Sequence, residues 1–127
     1  MNVVIAGGRD FTNTTLVFNK LKNLLNTNDV IISGHASGAD KIGEVYARTY
    51  KMQVKLFPAE WDKYGKSAGP IRNRKMAEVA DLVIVFWDLE SRGTKSMIKE
   101  TLRLNKKLLV FDYSGTLVEP EKLKKLL

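Results

Sequence analysis

Apolar residues along the chain follow two alternating rhythms. Five short runs are dense in β-branched, leucine or aromatic residues: Val3-Val4-Ile5-Ala6, Val30-Ile31-Ile32-Ser33, Val54-Lys55-Leu56-Phe57, Leu82-Val83-Ile84-Val85-Phe86 and Leu108-Leu109-Val110-Phe111. Such runs, with little polar alternation, predict strands covered on both faces. Between them the apolar positions take helical spacing. Leu16, Phe18, Leu21, Leu24 and Leu25 form one set, and Ile42, Val45 and Tyr46 a second set after Asp40. Two further helices are expected from about Ile71 to Val79 and from about Lys95 to Leu104. Strands that alternate with helices need crossovers between parallel neighbours. The expected architecture is therefore α/β: a Rossmann-like three-layer fold with a largely parallel five-stranded sheet flanked by helices. A short Lys-rich helix over about 119–127 is expected to dock through Leu123, Leu126 and Leu127, or to meet another copy of the chain. The one long irregular stretch, Pro58 to Gly69, is a candidate lid or ligand-contacting loop.

Composition narrows this picture without changing it. The 127 residues suit one domain, 1–127, with one core of ordinary size. At 44% hydrophobic and 28% charged, the chain is neither disordered nor collagen-like nor a coiled coil. It has no Cys, which excludes thiolate nucleophiles, disulfides, zinc fingers and iron–sulfur clusters. A single histidine, His35, excludes a multi-histidine metal site, so neither a metal nor a cofactor is expected. His35 itself reads as a loop bystander before it reads as a ligand contact. The start, Met1-Asn2-Val3-Val4, carries no basic leader, and no stretch reaches the roughly 20 apolar residues of a membrane span, so a cytoplasmic location and no membrane partner are expected.

The formal charge of +7 calls for an anionic partner. Five basic and two acidic residues crowd between positions 60 and 75, which reads as a focused anion site at the Gly69–Asn73 turn. Lys106-Lys107 and Lys122, Lys124 and Lys125 lack interleaved aromatics and read as solvated surface, so nucleic acid is possible but not favoured.

In open parallel sheets, ligands bind beyond the carboxyl ends of the strands, where helix N-termini favour anions. Four segments rich in glycine, hydroxyl or arginine are expected at that edge. They are Gly7-Gly8-Arg9-Asp10, the stretch from Ser33 and Gly34 through Ser37 and Gly38 to Asp40, Gly69-Pro70-Ile71-Arg72-Asn73, and Arg92-Gly93-Thr94. Glycines let backbone amides approach a phosphate, and Arg9, Arg72 or Arg92 could grip it with two hydrogen bonds. The competing reading is that the glycines make tight turns and Asp40 caps the second helix. Trp61, Tyr64 and Trp87 either stack on a base or close the edge of the core. No complete G-x-G-x-x-G and no P-loop is present.

These segments, with Phe57-Pro58-Ala59-x-Trp61 and Arg72 four residues before Met76, resemble the small YspA-type branch of the SLOG superfamily over residues 3 to about 111. That superfamily includes the LOG phosphoribohydrolases, the Rossmann-like part of DprA, and sensor domains for nucleotide-derived signals. The resemblance implies that Arg72 corresponds to the arginine of LOG enzymes and that Gly93-Thr94 matches part of their phosphate loop. The position of their catalytic glutamate is Met97. A displaced carboxylate would have to come from Glu100, Glu90 or Asp88. Three functions follow as expectations. The first is binding of a nucleotide or nucleotide-derived ligand such as AMP, ADP-ribose, an NAD-like molecule or a cyclic nucleotide, for sensing or sequestration. Its contacts would be Gly7, Gly8, Arg9, Ser33, Gly34, Ser37, Gly38, Asp40, Trp61, Gly69, Arg72, Asn73, Trp87, Arg92, Gly93 and Thr94. The second is a LOG-like phosphoribohydrolase using Arg72 and Glu100 catalytically. The third is single-stranded DNA binding in the manner of DprA. The resemblance also implies a homo-oligomer.

Overall fold

A computed structural model describes residues 1–127. Five strands, β1 (Asn2–Gly7), β2 (Val30–Ser33), β3 (Val54–Leu56), β4 (Leu82–Phe86) and β5 (Lys107–Phe111), form one sheet in the order β3-β2-β1-β4-β5. Every pairing is parallel, for example Val3 with Ile31 and Ile5 with Ile84. The fold is Rossmann-like, as the alternating rhythm predicts.

The pleat sends alternate side chains into two separate cores. Val3, Ile5, Ile31, Ile84 and Phe86 face α1 (Thr14–Leu24) and α2 (Ala39–Thr49). Val4, Ala6, Ile32, Val83 and Val85 face α4 (Ala68–Val79), α5 (Arg92–Arg103) and α6 (Pro120–Leu126). All five residues of β4 are buried, which is why that run carries no polar position. Leu123 is buried and Leu126 and Leu127 pack partly against the second core, so the carboxyl-terminal helix docks on its own chain. No helix is long and apolar enough to cross a membrane.

Two expectations need correction. Pro58–Gly69 is not an irregular loop: it holds α3 (Trp61–Tyr64) and a 3₁₀ turn (Gly65–Ser67) that leads directly into α4. Gly65, at φ +56°, ends α3 in a conformation that suits glycine. The Gly69–Asn73 stretch is likewise no turn. Pro70 lies in the first turn of α4, where its missing N–H has no helical partner to lose. In the same way α5 starts at Arg92, ahead of the expected Lys95.

Candidate functional site

After β1 the chain turns to one face of the sheet and after β4 to the other, so a crevice opens between these central neighbours at the carboxyl edge. A cleft of about 560 Å³ occupies it, walled by four separate chain segments.

The first wall is the end of β1. Gly7, Gly8, Arg9 and Asp10 line the cleft. An aromatic stack anchors them: Phe11 lies 5.4 Å from Phe86 and 4.7 Å from Tyr113 between ring centres. The Tyr113 hydroxyl donates to Asp10 Oδ1 at 2.6 Å. Burial, then that bond, push the phenol pKa upward. The Gly8 amide does not wait for a phosphate, because it donates to the Phe86 carbonyl at 3.1 Å.

The second wall is the β2–α2 connection. Gly38 sits at φ +78°, and a Cβ there would run into the Gly8 carbonyl. Only glycine lets the two loops meet, and the Ala39 N–H then donates to Gly8 O at 3.2 Å. Ser33 lies beneath the cleft, not in it: its buried hydroxyl donates to Glu44 Oε2 at 2.7 Å. Glu44 in turn faces His35 Nδ1 at 3.0 Å. Gly34, His35 and Ser37 line a smaller adjoining hollow of about 240 Å³, which shares Arg9, Trp61 and Arg72 with the main cleft.

Asp40 is buried in the main cleft wall. It is not the cap of α2, whose N-cap is Gly38. Its Oδ2 accepts the Ala36 N–H at 3.3 Å. Burial pushes its pKa up to about 6, opposed by the Ala36 bond and the charges of Arg72 and Arg9, and reinforced by Glu44.

The third wall is α4, with Gly69, Pro70, Arg72, Asn73 and Met76. Arg72 Nη1 donates to the Gly34 carbonyl at 2.6 Å, and Nε to Asn73 Oδ1 at 3.0 Å. These bonds fix the guanidinium and leave Nη2 without a protein partner. Burial lowers its pKa and Asp40 raises it, but an arginine stays charged. Asn73 is a clamp between helices: its Nδ2 donates to Gly93 O and Ser96 Oγ, each at 3.3 Å. Of the five basic residues between 60 and 75, Arg72 alone lines this cleft, since the helical period turns Arg74 and Lys75 outward. The focused charge expected there is really assembled from Arg9, Arg72 and Arg92 on different elements.

The fourth wall is the first turn of α5. Arg92, Gly93 and Thr94 line the cleft, with no acidic residue in that turn and no side chain capping it. Their N–H groups precede the first helical bond, Lys95 N–H to Ser91 O, and so lack helical partners. A Cβ on Gly93 would meet nothing within 4 Å, so the fold itself does not require glycine there.

Besides Ser33, two more expected site residues lie elsewhere. Trp87 is fully buried in the second core, where its Nε1–H donates to Ser91 O at 3.1 Å, so it packs and does not stack on a ligand. Glu100 does not line the cleft. It sits one turn beyond Met97 and pairs with Arg103 at 2.7 Å. Trp61, half exposed, does line the mouth, whereas Tyr64 faces a separate groove. Met76 and Met97 were missed as lining residues, although each stands one helical turn from an expected contact. Tyr113 carried no local signal at all. No three His, Asp or Glu side chains converge in a way that would hold a metal ion.

Comparison with known proteins bears on the family and the fold. The family described as YspA, cpYpsA-related SLOG matches residues 1–64, which supply the first two walls and Trp61. The Gene 61 protein of Mycobacterium phage D29 is 31% identical, over 77% of this chain and 86% of its own. Among solved structures, DNA processing protein A (DprA) from Streptococcus pneumoniae superposes on 98% of this chain with a TM-score of 0.70 at 17% identity, a likeness of fold. The chain spans about half, 53%, of that protein. With the sequence motifs, the doubly wound sheet and these matches in agreement, the chain belongs to the YspA, cpYpsA-related SLOG family.

Proposed function

We propose that the protein binds a nucleotide or nucleotide-derived ligand in the cleft between β1 and β4, for sensing or sequestration. The observation that carries this reading is the convergence of Arg9, Arg72 and the uncapped first turn of α5 on one cavity. Three cationic or dipolar donors around one opening suit a phosphate. Trp61 at the mouth offers a flat face for a base. The phosphate goes to the Arg92-Gly93-Thr94 amides, because the Gly8 amide is already bonded within the sheet.

The LOG-like hydrolase reading is weaker here, since Met97 lines the cleft where a carboxylate would be needed, Glu90 and Glu100 do not reach it, and Asp88, which does line it, has its Oδ1 taken by the Glu90 and Ser91 N–H groups. Calorimetric titration with inorganic phosphate, AMP, ADP-ribose, NAD and cyclic nucleotides tests the proposal. Saturable binding that falls sharply in Arg72→Ala is the expected result. No binding of any of them, or an unaffected variant, overturns it. Chromatography of the same AMP mixtures reports any base release.

A further inference from the structure

Asp40 stands out among the acidic groups of the cleft because it is nearly sealed, at 4% exposure, and yet only half satisfied. Its Oδ2 accepts the Ala36 N–H. Its Oδ1 has no protein donor, and no partnerless side-chain oxygen in the molecule is closed off from solvent, so Oδ1 opens into the cleft that Asp40 lines. Space for this carboxylate is kept by Gly34, whose Cβ would stand 2.8 Å from Oδ2.

The groups around Asp40 restrict what Oδ1 can meet. Arg72 from α4 and Arg9 from the β1–α1 loop act on it electrostatically from across the cleft. Glu44, one turn along α2, is occupied by Ser33 and His35, and Lys41 lies against the His35 ring. An anion placed at Oδ1 would meet a carboxylate, and a cation would meet two guanidinium groups. A neutral hydrogen-bond donor meets neither objection. In a nucleotide whose phosphate rests on the first turn of α5, the neutral donors joined directly to the phosphate-bearing unit are the sugar hydroxyls. Burying a carboxylate without a full set of donors also opposes folding, so Asp40 is a poor choice for structure and a good one for recognition.

We infer that Asp40 is the sugar-reading residue of this site: Oδ1 accepts a hydrogen bond from a ribose hydroxyl, so the protein distinguishes ribonucleotides from their deoxy counterparts. This rests on the nucleotide reading above and adds to it a substrate class. A site shaped to accept a hydroxyl proton is left with a bare carboxylate when that hydroxyl is absent, so discrimination of about tenfold or more is expected.

The test is calorimetric titration of the whole chain with AMP, 2′-deoxy-AMP, 3′-deoxy-AMP, IMP and inorganic phosphate, repeated on Asp40→Asn. The expected result is a wild-type preference of about tenfold or more for AMP over at least one deoxy analogue. Asp40→Asn should bind that analogue at least as tightly as the wild type does, which shows that it is folded, and should lose the preference. Equal wild-type binding of AMP and both analogues overturns the inference while the nucleotide reading stands. So does a preference for AMP over IMP without any sugar effect, or a sugar preference that survives in Asp40→Asn. Should the variant bind nothing, the wild-type ratio decides alone. Binding of phosphate but of no nucleoside monophosphate overturns the inference, as does binding of nothing in this set, and the nucleotide reading falls with it only when ADP-ribose, NAD and the cyclic nucleotides also fail to bind.

Discussion

Two helices begin at the cleft, and their first turns are finished in opposite ways. The first turn of α2 is compensated from within: the Ala39 N–H is taken by the Gly8 carbonyl, and Asp40 places a carboxylate beside the positive end of the helix. The first turn of α5 has no acidic residue and no capping side chain. Two equal dipoles therefore leave unequal sites. One side of the cleft presents the unpartnered Asp40 Oδ1, and the other presents the open amides of α5 beside an Asp88 whose Oδ1 is already taken by the Glu90 and Ser91 N–H groups. An incoming anion is directed to α5, and the α2 side is left to read whatever neutral group the anion carries.

Removing the residue that faces both sides should have the largest effect. Arg72→Ala takes away a fixed guanidinium with a free Nη2, and charge-assisted hydrogen bonds of this kind suggest a loss of about 2–3 kcal/mol, roughly a hundredfold in affinity for a phosphate-bearing ligand. Arg72→Lys keeps the charge without the fork and should fall between. Calorimetry ranks the three proteins, and an order other than wild type, Lys, Ala would break the comparison.

Asp40→Asn should act on stability in the opposite sense. Because the folded-state pKa of Asp40 is raised, to about 6, the folded chain holds this proton more tightly than the unfolded chain does. The associated stability is complete below the ordinary carboxylate range and is lost as pH rises through about 6. Above that pH the ionised group opposes folding by roughly 3 kcal/mol, which asparagine should relieve. Urea unfolding should therefore show Asp40→Asn more stable than the wild type near pH 8 and no different near about pH 3.5. A variant less stable at both values would make Asp40 a structural residue.

Smaller effects belong to the α5 side. Thr94→Val removes one hydroxyl donor next to the open amides and should weaken phosphate binding by about 1 kcal/mol, roughly fivefold, with little change in melting temperature. The smallest change is expected from Tyr113→Phe. It deletes the bond to Asp10 and should cost about 0.5–1 kcal/mol, seen as faster hydrogen exchange at residues 8–10. Unchanged exchange would show that the aromatic stack alone holds that loop.

Much of this could be read from the chain itself. Buried parallel strands are short and apolar throughout, so β1 and β4 announced themselves, and the rule for open sheets then located the cleft edge. Helix starts were harder. Proline and glycine in the first turns of α4 and α5 look like turn residues, yet the first turn is where a helix tolerates them. Trp61 and Trp87 have the same side chain and opposite fates, which neighbouring residues do not disclose: one lies on a surface helix, the other follows a fully buried strand into the core. Asp40 looked like a helix cap because residue type and position allow it, and only burial reveals an oxygen with no donor. The Tyr113–Asp10 bond joins residues 103 positions apart, beyond any local pattern.

The empty side of Gly34 is also a statement about inheritance. A single added methyl there would stand 2.5 Å from Arg72 Nη1, on the opposite wall of the cleft. What is tolerated at position 34 thus depends on what stands at position 72. Gly34→Ala should be damaging in the wild type and partly relieved once Arg72 is alanine, with the 2.8 Å approach to Asp40 Oδ2 left over, a non-additive pair in a double-mutant cycle read by ligand affinity and urea unfolding. Descendants that keep the arginine are bound to keep the glycine, and those that abandon it are released only when the carboxylate at position 40 is given up as well, so the three positions should be gained or lost together.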